Sequence, residues 1–187
     1  MLTRRHLLTG LAAAAASLSG LPAFAEDSPS AGQILRKLEA APQMDIAPED
    51  KMSIQQLKRR PEMRRIAPSI DIQGINFEFG SAAIPRSERR KVENIAIAVN
   101  TLIDRNPEEI ILIEGHTDAV GARRSNQSLS QARAASLKRE LGRYFGVPGY
   151  NLETVGYGED FLLVPTQEEN WRNRRVTIRV VTELIER

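Results

Sequence analysis

The run EEIILIEGHTD, residues 108–118, sets the first limit on the architecture. Residues 110–113 are apolar without a break, and polar residues close the run on both sides. A stretch this short and continuous reads as a strand buried on both faces, not as a half-exposed strand with alternating character. Such a strand needs other elements packed against it, and the flanking sequence offers helices. In IPRSERRKVENIAIAVNTLIDRNP, the residues Val92, Ile95, Val99, Leu102 and Ile103 recur at helical spacing on one face, and Pro107 bars continuation. After the buried run, a helix over about 129–145 presents Ala134, Leu137, Leu141, Tyr144 and Phe145, and GVPGYN ends it.

Three further strands complete the pattern. SIDIQGINFEFG alternates Ile70, Ile72, Ile75, Phe77 and Phe79, with a break or bulge expected at Gly74. LETVGYGE reads as a strand, and RRVTIRVV alternates Val176, Ile178 and Val180 as another. The order strand–helix–strand–helix–strand–strand predicts an α/β fold (an α+β sandwich), with helices packed on a mixed four-stranded sheet.

The N-terminal residues belong to a different category. Residues 1–25 have a basic start, an apolar middle over 7–21, and small residues at Ala23 and Ala25 ahead of Glu26. This is the layout of a secretory signal peptide with an A-x-A cleavage site. Arg4 and Arg5, directly before the apolar run, match the twin-arginine export signal. The apolar run is too short and alanine-rich for a spanning helix, which needs about 20 strongly apolar residues, and no second candidate occurs. The chain contains no cysteine, so neither a disulfide nor a cysteine-linked lipid anchor is available. A protein exported to the periplasm, without an integral membrane segment in its mature form, is expected.

Charge points to no polyanionic partner. The chain has 26 Lys and Arg against 24 Asp and Glu, and two of the bases, Arg4 and Arg5, lie in the leader. The remainder is balanced, which gives no support to nucleic-acid binding.

Residues 26–69 read as a tail or linker, with five prolines (Pro29, Pro42, Pro48, Pro61, Pro68) and no aromatic residue. Two short helical patterns, AGQILRKLEAA and DKMSIQQLKRR, are expected to be marginal alone. The basic cluster KRRPEMRR is expected to be a solvated linker. The folded domain is expected over 70–187.

Chemistry concentrates after the buried strand. Asp118 lies past its carboxyl end, where open α/β sheets place their ligand crevices. Gly121 permits a tight loop, and Asn126, Ser130 and Arg133 then share one helical face. Arg133 sits roughly 10 Å along the helix, with its side chain leaning back toward the loop. A carboxylate suits an ammonium group and a guanidinium fork suits a carboxylate, so the two describe a site for an amino-acid-like group. Spacing alone favours the simpler alternative, an ion pair that joins loop to helix. His116 lies two residues from Asp118, but no cysteine or G-x-S-x-G elbow accompanies it, and one histidine builds no recognisable zinc site. Neither an enzyme nor a cofactor-dependent protein is expected.

INFEFGSAAIP, IEGHTDAVG, NQSLSQARAASLKREL, VGYGED and NRRVTIRV occur in this order. Together they resemble the OmpA-like C-terminal domain family over roughly 70–183. The resemblance implies non-covalent binding of peptidoglycan through the meso-diaminopimelate residue of its stem peptide. By the same resemblance, Asp118 meets the ammonium of that residue and Arg133 its carboxylate. Thr117, Asn126 and Leu129 line the pocket, Arg174 faces the ligand, and Phe79 matches an aromatic position near it. Ala122 departs from the small polar residue that many relatives have there, which implies a missing loop hydrogen bond. The remaining alternative is a protein-interaction module whose N-terminal tail recruits an envelope partner.

Overall fold

Ser30 opens the first helix by a reciprocal cap: its hydroxyl accepts from the Gln33 amide, and the Gln33 side chain accepts from the Ser30 amide. The structure, a computed structural model, describes residues 28–186 apart from 74, 76 and 78–80. The expected leader, the bulge at Gly74 and the site residue Phe79 therefore lie outside the described residues. Helix α1 covers Ala31–Leu38. Helix α2, Ile54–Lys58, repeats the cap with Ser53 and Gln56, and α3, Pro61–Arg64, starts on a proline.

These three helices fall in the stretch that reads as a tail, and the structure differs from that expectation. Ile34 and Leu38 are buried in the main core, while Met52, Leu57 and Ala67 are buried in a second core. A short helix is marginal only while it stands alone, whereas a docked one is stabilised by the apolar area it covers. Met52 also bridges to Ile185, accepting from the Glu186 amide at 3.0 Å and donating to the Leu184 carbonyl at 3.1 Å.

The sheet follows. Its elements are β1 (Ser69–Gln73), α4 (Arg89–Arg105), β2 (Ile111–Gly115), α5 (Arg123–Phe145), β3 (Leu152–Gly156) and β4 (Arg175–Val180). The strand order is β1-β4-β2-β3, with β4 antiparallel to both neighbours and β2 parallel to β3. A parallel pair needs a long crossover, and α5 supplies it. Helices packed on a mixed four-stranded sheet are what the element order predicts. The first strand is shorter than its alternation suggests: pairing ends at Gln73, and neither Ile75 nor Phe77 is in a strand.

Strand β2 is buried on both faces. Ile111 and Ile113 join Ile72, Leu152, Val176 and Ile178 beneath α1, α4 and α5. Leu112 lies on the opposite face with Leu57, Ala67 and Leu184. Glu114 shares that face and is fully buried. Its carboxylate takes Arg64 Nη1 at 2.5 Å on one oxygen and Arg179 Nε at 2.8 Å on the other. Arg179 also donates to the carbonyls of Arg64 and Ala67. The Arg64 guanidinium lies 4.3 Å from the Tyr157 ring centroid and 4.4 Å from that of Phe161. Arg64 is only 3% exposed, so the basic cluster is not wholly a solvated linker. A buried strand carboxylate needs counter-charge, and Arg64 brings it from the N-terminal segment. Burial raises the Glu114 pKa, but His116, Arg179 and Arg64 outweigh it and leave it lowered to about 2. Burial, reinforced by Glu114, pushes the Tyr157 phenol up to about 12, and its hydroxyl donates to the Lys58 carbonyl at 2.9 Å.

Helix α5 lies against the sheet at backbone range. A Cβ on Gly115 would sit 2.1 Å from the Ser130 carbonyl oxygen, and one on Gly156 would sit 2.3 Å from the Gln131 amide nitrogen. Only glycine allows that approach. Gln127 donates to the Gly156 carbonyl and Gln131 accepts from the Gly156 amide, so α5 also satisfies backbone groups of the edge strand β3.

Candidate functional site

The end of β2 is fixed before it reaches the site. His116 N donates to the Arg175 carbonyl at 3.0 Å, and Thr117 N donates to the Gly158 carbonyl at 2.9 Å. Asp118 comes next and is nearly buried. Its Oδ2 accepts from Arg174 Nη1 at 2.9 Å, and its Oδ1 from the Val120 amide at 3.4 Å. Arg174 Nη1 also lies 2.5 Å from Glu169 Oε1. Burial lowers the Arg174 pKa, but its bonds to Asp118 and Glu169 outweigh this and raise it.

Asn126 ties the loop to α5. Its Nδ2 is within hydrogen-bond distance of the carbonyls of Asp118 (3.3 Å) and Val120 (3.1 Å) and of the Glu159 carboxylate (2.7 Å). Gly121 takes a positive φ of 99° between them, a conformation that favours glycine. Helix α5 begins at Arg123, six residues before the apolar spacing marks it. Ala122 is its N-cap residue and makes no side-chain cap. The departure at Ala122 therefore falls where serine or threonine would hold the first helical amides.

Arg133 lies two turns further along. Its Nε donates to the Ser81 carbonyl at 3.2 Å, and its guanidinium lies 4.8 Å from the Phe77 ring centroid. Among the described residues its terminal nitrogens have no protein acceptor. The Asp118–Arg133 ion pair that spacing favours does not form, because Asp118 pairs with Arg174. Burial and the neighbouring Arg174 push the Arg133 pKa down, with Asp118 opposing them. The guanidinium is still cationic at neutral pH.

A cleft of about 660 Å³ brings these groups together. Asp118, Arg133, Thr117, Asn126, Leu129 and Arg174 all line it. Phe77, Ser125 and Glu169 also line it and were not singled out from the sequence. Alternation places Phe77 in a strand, and Glu169 sits in a loop with no pattern to mark it. A space of this size suits a small ligand. The cleft carries two carboxylates around Arg174 and, unpaired with either, the Arg133 guanidinium.

His116 lies inside the fold. Burial lowers its pKa, so it is neutral at pH 7. Its ring stacks on Tyr157, with centroids 5.8 Å apart. The nearby Ser130 hydroxyl is engaged with the Gln127 carbonyl and the Gly158 amide.

Residues 76–175 match the OmpA family. The chain belongs to that family. It is 37% identical over 105 residues to the peptidoglycan-associated lipoprotein of Pseudomonas aeruginosa, covering 55% of this chain and 59% of the lipoprotein. It is 32% identical over 111 residues to outer membrane porin F of the same organism, covering 58% of this chain and 31% of the porin. The chain thus spans about a third of the length of that porin. Among solved structures, the cell wall anchor of the T6SS from Pseudomonas aeruginosa superposes with a TM-score of 0.50 at 25% identity, covering 70% of this chain and 97% of the anchor. The periplasmic domain of Helicobacter pylori MotB (residues 78–256) gives a TM-score of 0.51 at 22% identity, covering 60% and 74%. The MotB likeness shows the fold alone. The OmpA-family match begins after β1, so α1 to α3 lie outside it.

Proposed function

We propose that this OmpA-family chain binds peptidoglycan non-covalently, without cleaving it, through the meso-diaminopimelate of the stem peptide. In this reading Asp118 takes the ligand's ammonium and Arg133 its carboxylate. One observation carries it: a carboxylate from the end of β2 and a guanidinium with unused donors from α5 line the same cleft without pairing with each other. The names of two similar proteins, a peptidoglycan-associated lipoprotein and a cell wall anchor, support the same ligand. Thr117, Asn126, Leu129 and Arg174 complete the pocket.

A hydrogen bond to a charged group contributes about 1.5–3 kcal/mol, so two or three give about 4–7 kcal/mol before ordering costs. One domain therefore binds in the millimolar to micromolar range. That suffices on a polymer of repeated ligands, where avidity adds to each weak site.

Residues 1–25 serve as a cleaved leader of twin-arginine type, placing the mature chain in the periplasm with the domain, including the helices of residues 31–64 docked on it, at the wall. The alternative, a free N-terminal tail that recruits an envelope partner, has less support. Ile34, Leu38, Leu57 and Arg64, which such a tail would offer, are buried within this chain.

Co-sedimentation of residues 26–187 with purified sacculi tests the proposal. Wild type is expected to pellet, while Asp118→Ala and Arg133→Ala, folded by circular dichroism, stay in the supernatant. Equal pelleting of all three would overturn it.

A further inference from the structure

A second, more enclosed pocket of about 100 Å³ lies against the first cleft. The two share Phe77, Arg133 and Arg174. Their chemistry differs. The first cleft contains Asp118 and Glu169. Among the described residues, the second is lined by Arg133, Arg174, Arg175 and His116 and by no carboxylate.

Two groups in its lining have hydrogen-bonding capacity that the described residues leave unused. Arg133 makes one hydrogen bond, through Nε, which leaves both terminal nitrogens. His116 is 2% exposed, yet neither ring nitrogen has a hydrogen-bond partner. Nε2 faces Glu114 Oε2 at 3.7 Å, the contact that helps to lower the Glu114 pKa although it is long for a hydrogen bond, so Nδ1 is the ring nitrogen without a facing acceptor among the described residues. Buried polar side chains are normally satisfied, so an imidazole with an open ring nitrogen in a guanidinium-rich pocket points to a polar group that completes it. The other two guanidinium groups are already engaged, Arg174 with Asp118 and Glu169, and Arg175 with Asp71. Among the described residues, Arg133 has no carboxylate partner.

Trp171, 48% exposed, stands at the pocket's edge. Its short turn is held from both sides. The Asn170 side chain accepts from the Arg172 amide, and the buried Asn173 amide exchanges two 2.9 Å bonds with the Val164 backbone. Trp171 is the only tryptophan in the chain, so the emission has a single source, at the edge of this pocket.

We propose that the second pocket is a carboxylate subsite that takes the free terminal carboxylate of a stem peptide whose diaminopimelate occupies the first cleft. The inference rests on the peptidoglycan reading above. A carboxylate only accepts hydrogen bonds, which matches a lining that offers guanidinium, imidazole and indole N–H donors. An ammonium would be repelled by the guanidinium groups. The shared wall of Arg133 and Arg174 requires both carboxylates to belong to one short ligand that folds back over it, as the three methylenes of diaminopimelate and the residue after it allow. The chain then prefers stems with free ends over stems whose terminal carboxylate has become a cross-link amide.

Residues 26–187 titrated with three synthetic stem peptides test this, read by calorimetry and by Trp171 emission. The first contains meso-diaminopimelate followed by D-alanine as the free acid. The second is its C-terminal carboxamide, and the third is the free acid with lysine replacing diaminopimelate. The free acid is expected to bind about tenfold tighter than the carboxamide and to shift Trp171 emission, which the carboxamide leaves unchanged. Equal affinity and equal emission for acid and carboxamide would overturn the subsite and leave the first cleft standing. If the lysine peptide binds as tightly as the first, the diaminopimelate reading fails while the subsite stands. No binding by any peptide overturns both.

Discussion

Asp118 pairs with Arg174, 2.9 Å away, and not with Arg133, the basic residue whose spacing first suggests a partner. The Arg174 nitrogen that meets Asp118 also meets Glu169 at 2.5 Å. Two carboxylates thus share one guanidinium, so this end of the cleft carries an excess negative charge. Among the described residues Arg133 has no carboxylate partner, so its part of the cleft carries an excess positive one. A zwitterion laid along the cleft meets the opposite sign at each end. The ion pair between Asp118 and Arg174 holds the acidic end in place without neutralising it.

The two carboxylates should contribute unequally. Asp118→Asn is expected to weaken diaminopimelate binding by about tenfold or more, since it removes a nearly buried charge-assisted acceptor. Glu169→Gln should weaken it by less than about fivefold, because the Glu169 side chain is 73% exposed and screened by solvent. Calorimetry with each folded variant checks the order. A larger loss for Glu169→Gln would reverse the assignment of the principal carboxylate.

Binding should also depend on a residue that never touches ligand. Gly115→Ala puts a methyl group 2.1 Å from the Ser130 carbonyl, which obliges α5 to move away from β2. Such overpacking costs about 1–3 kcal/mol or more, and the displaced helix takes Arg133 with it. Both the unfolding midpoint and sacculus binding are expected to fall. Gly149→Ala has no atom within 4 Å of the new methyl group and should change stability by less than about 0.5 kcal/mol. Denaturant titration of both variants separates close approach from a general effect of replacing glycine.

What could be read from the chain alone follows a physical division. The buried face of α4 and the doubly buried β2 were legible because apolar periodicity reports burial directly. Asp118 and Arg133 were legible as a strand end and a helix face, and the ordered motifs added Thr117, Asn126, Leu129 and Arg174. The first turns of α5 were not, because RRSNQ carries no apolar stripe there. Side-chain bonds from Asn126 and Gln127 hold that stretch instead. The docking of residues 28–68 was hidden for another reason. Leu57 and Arg64 find their partners at Leu112 and Glu114, some 50 positions away, and no local pattern encodes a partner at that distance.

That docking makes the N-terminal segment part of the stability of the domain. Leu57→Ala is expected to cost about 2–5 kcal/mol, as for other fully buried leucines truncated in place. A chain beginning at Ser69 loses Leu57, Arg64 and the α1 contacts together, and should unfold at lower denaturant than residues 28–187. Guanidinium titrations of the three chains check this. Equal midpoints would mean that the segment is a detachable tail.

The buried Glu114 should give the protein a specific acid sensitivity. Its folded pKa of about 2 lies below the ordinary carboxylate value of 4.5, so the folded state favours the ionised carboxylate. A depressed carboxylate pKa contributes stability that is fully present above the unfolded value. That contribution is lost as pH falls from about 4.5 through about 2. Its size is on the order of 3 kcal/mol, from 1.36 kcal/mol per pKa unit. Glu114→Gln leaves Arg64 and Arg179 buried without their counter-charge and should cost about 3–5 kcal/mol at pH 7. The variant should also lose most of the slope of stability against pH between 5 and 2. Urea unfolding at several pH values in that window, on wild type and Glu114→Gln, measures both effects. Parallel curves for the two proteins would assign the acid sensitivity to other carboxylates and remove Glu114 from the account.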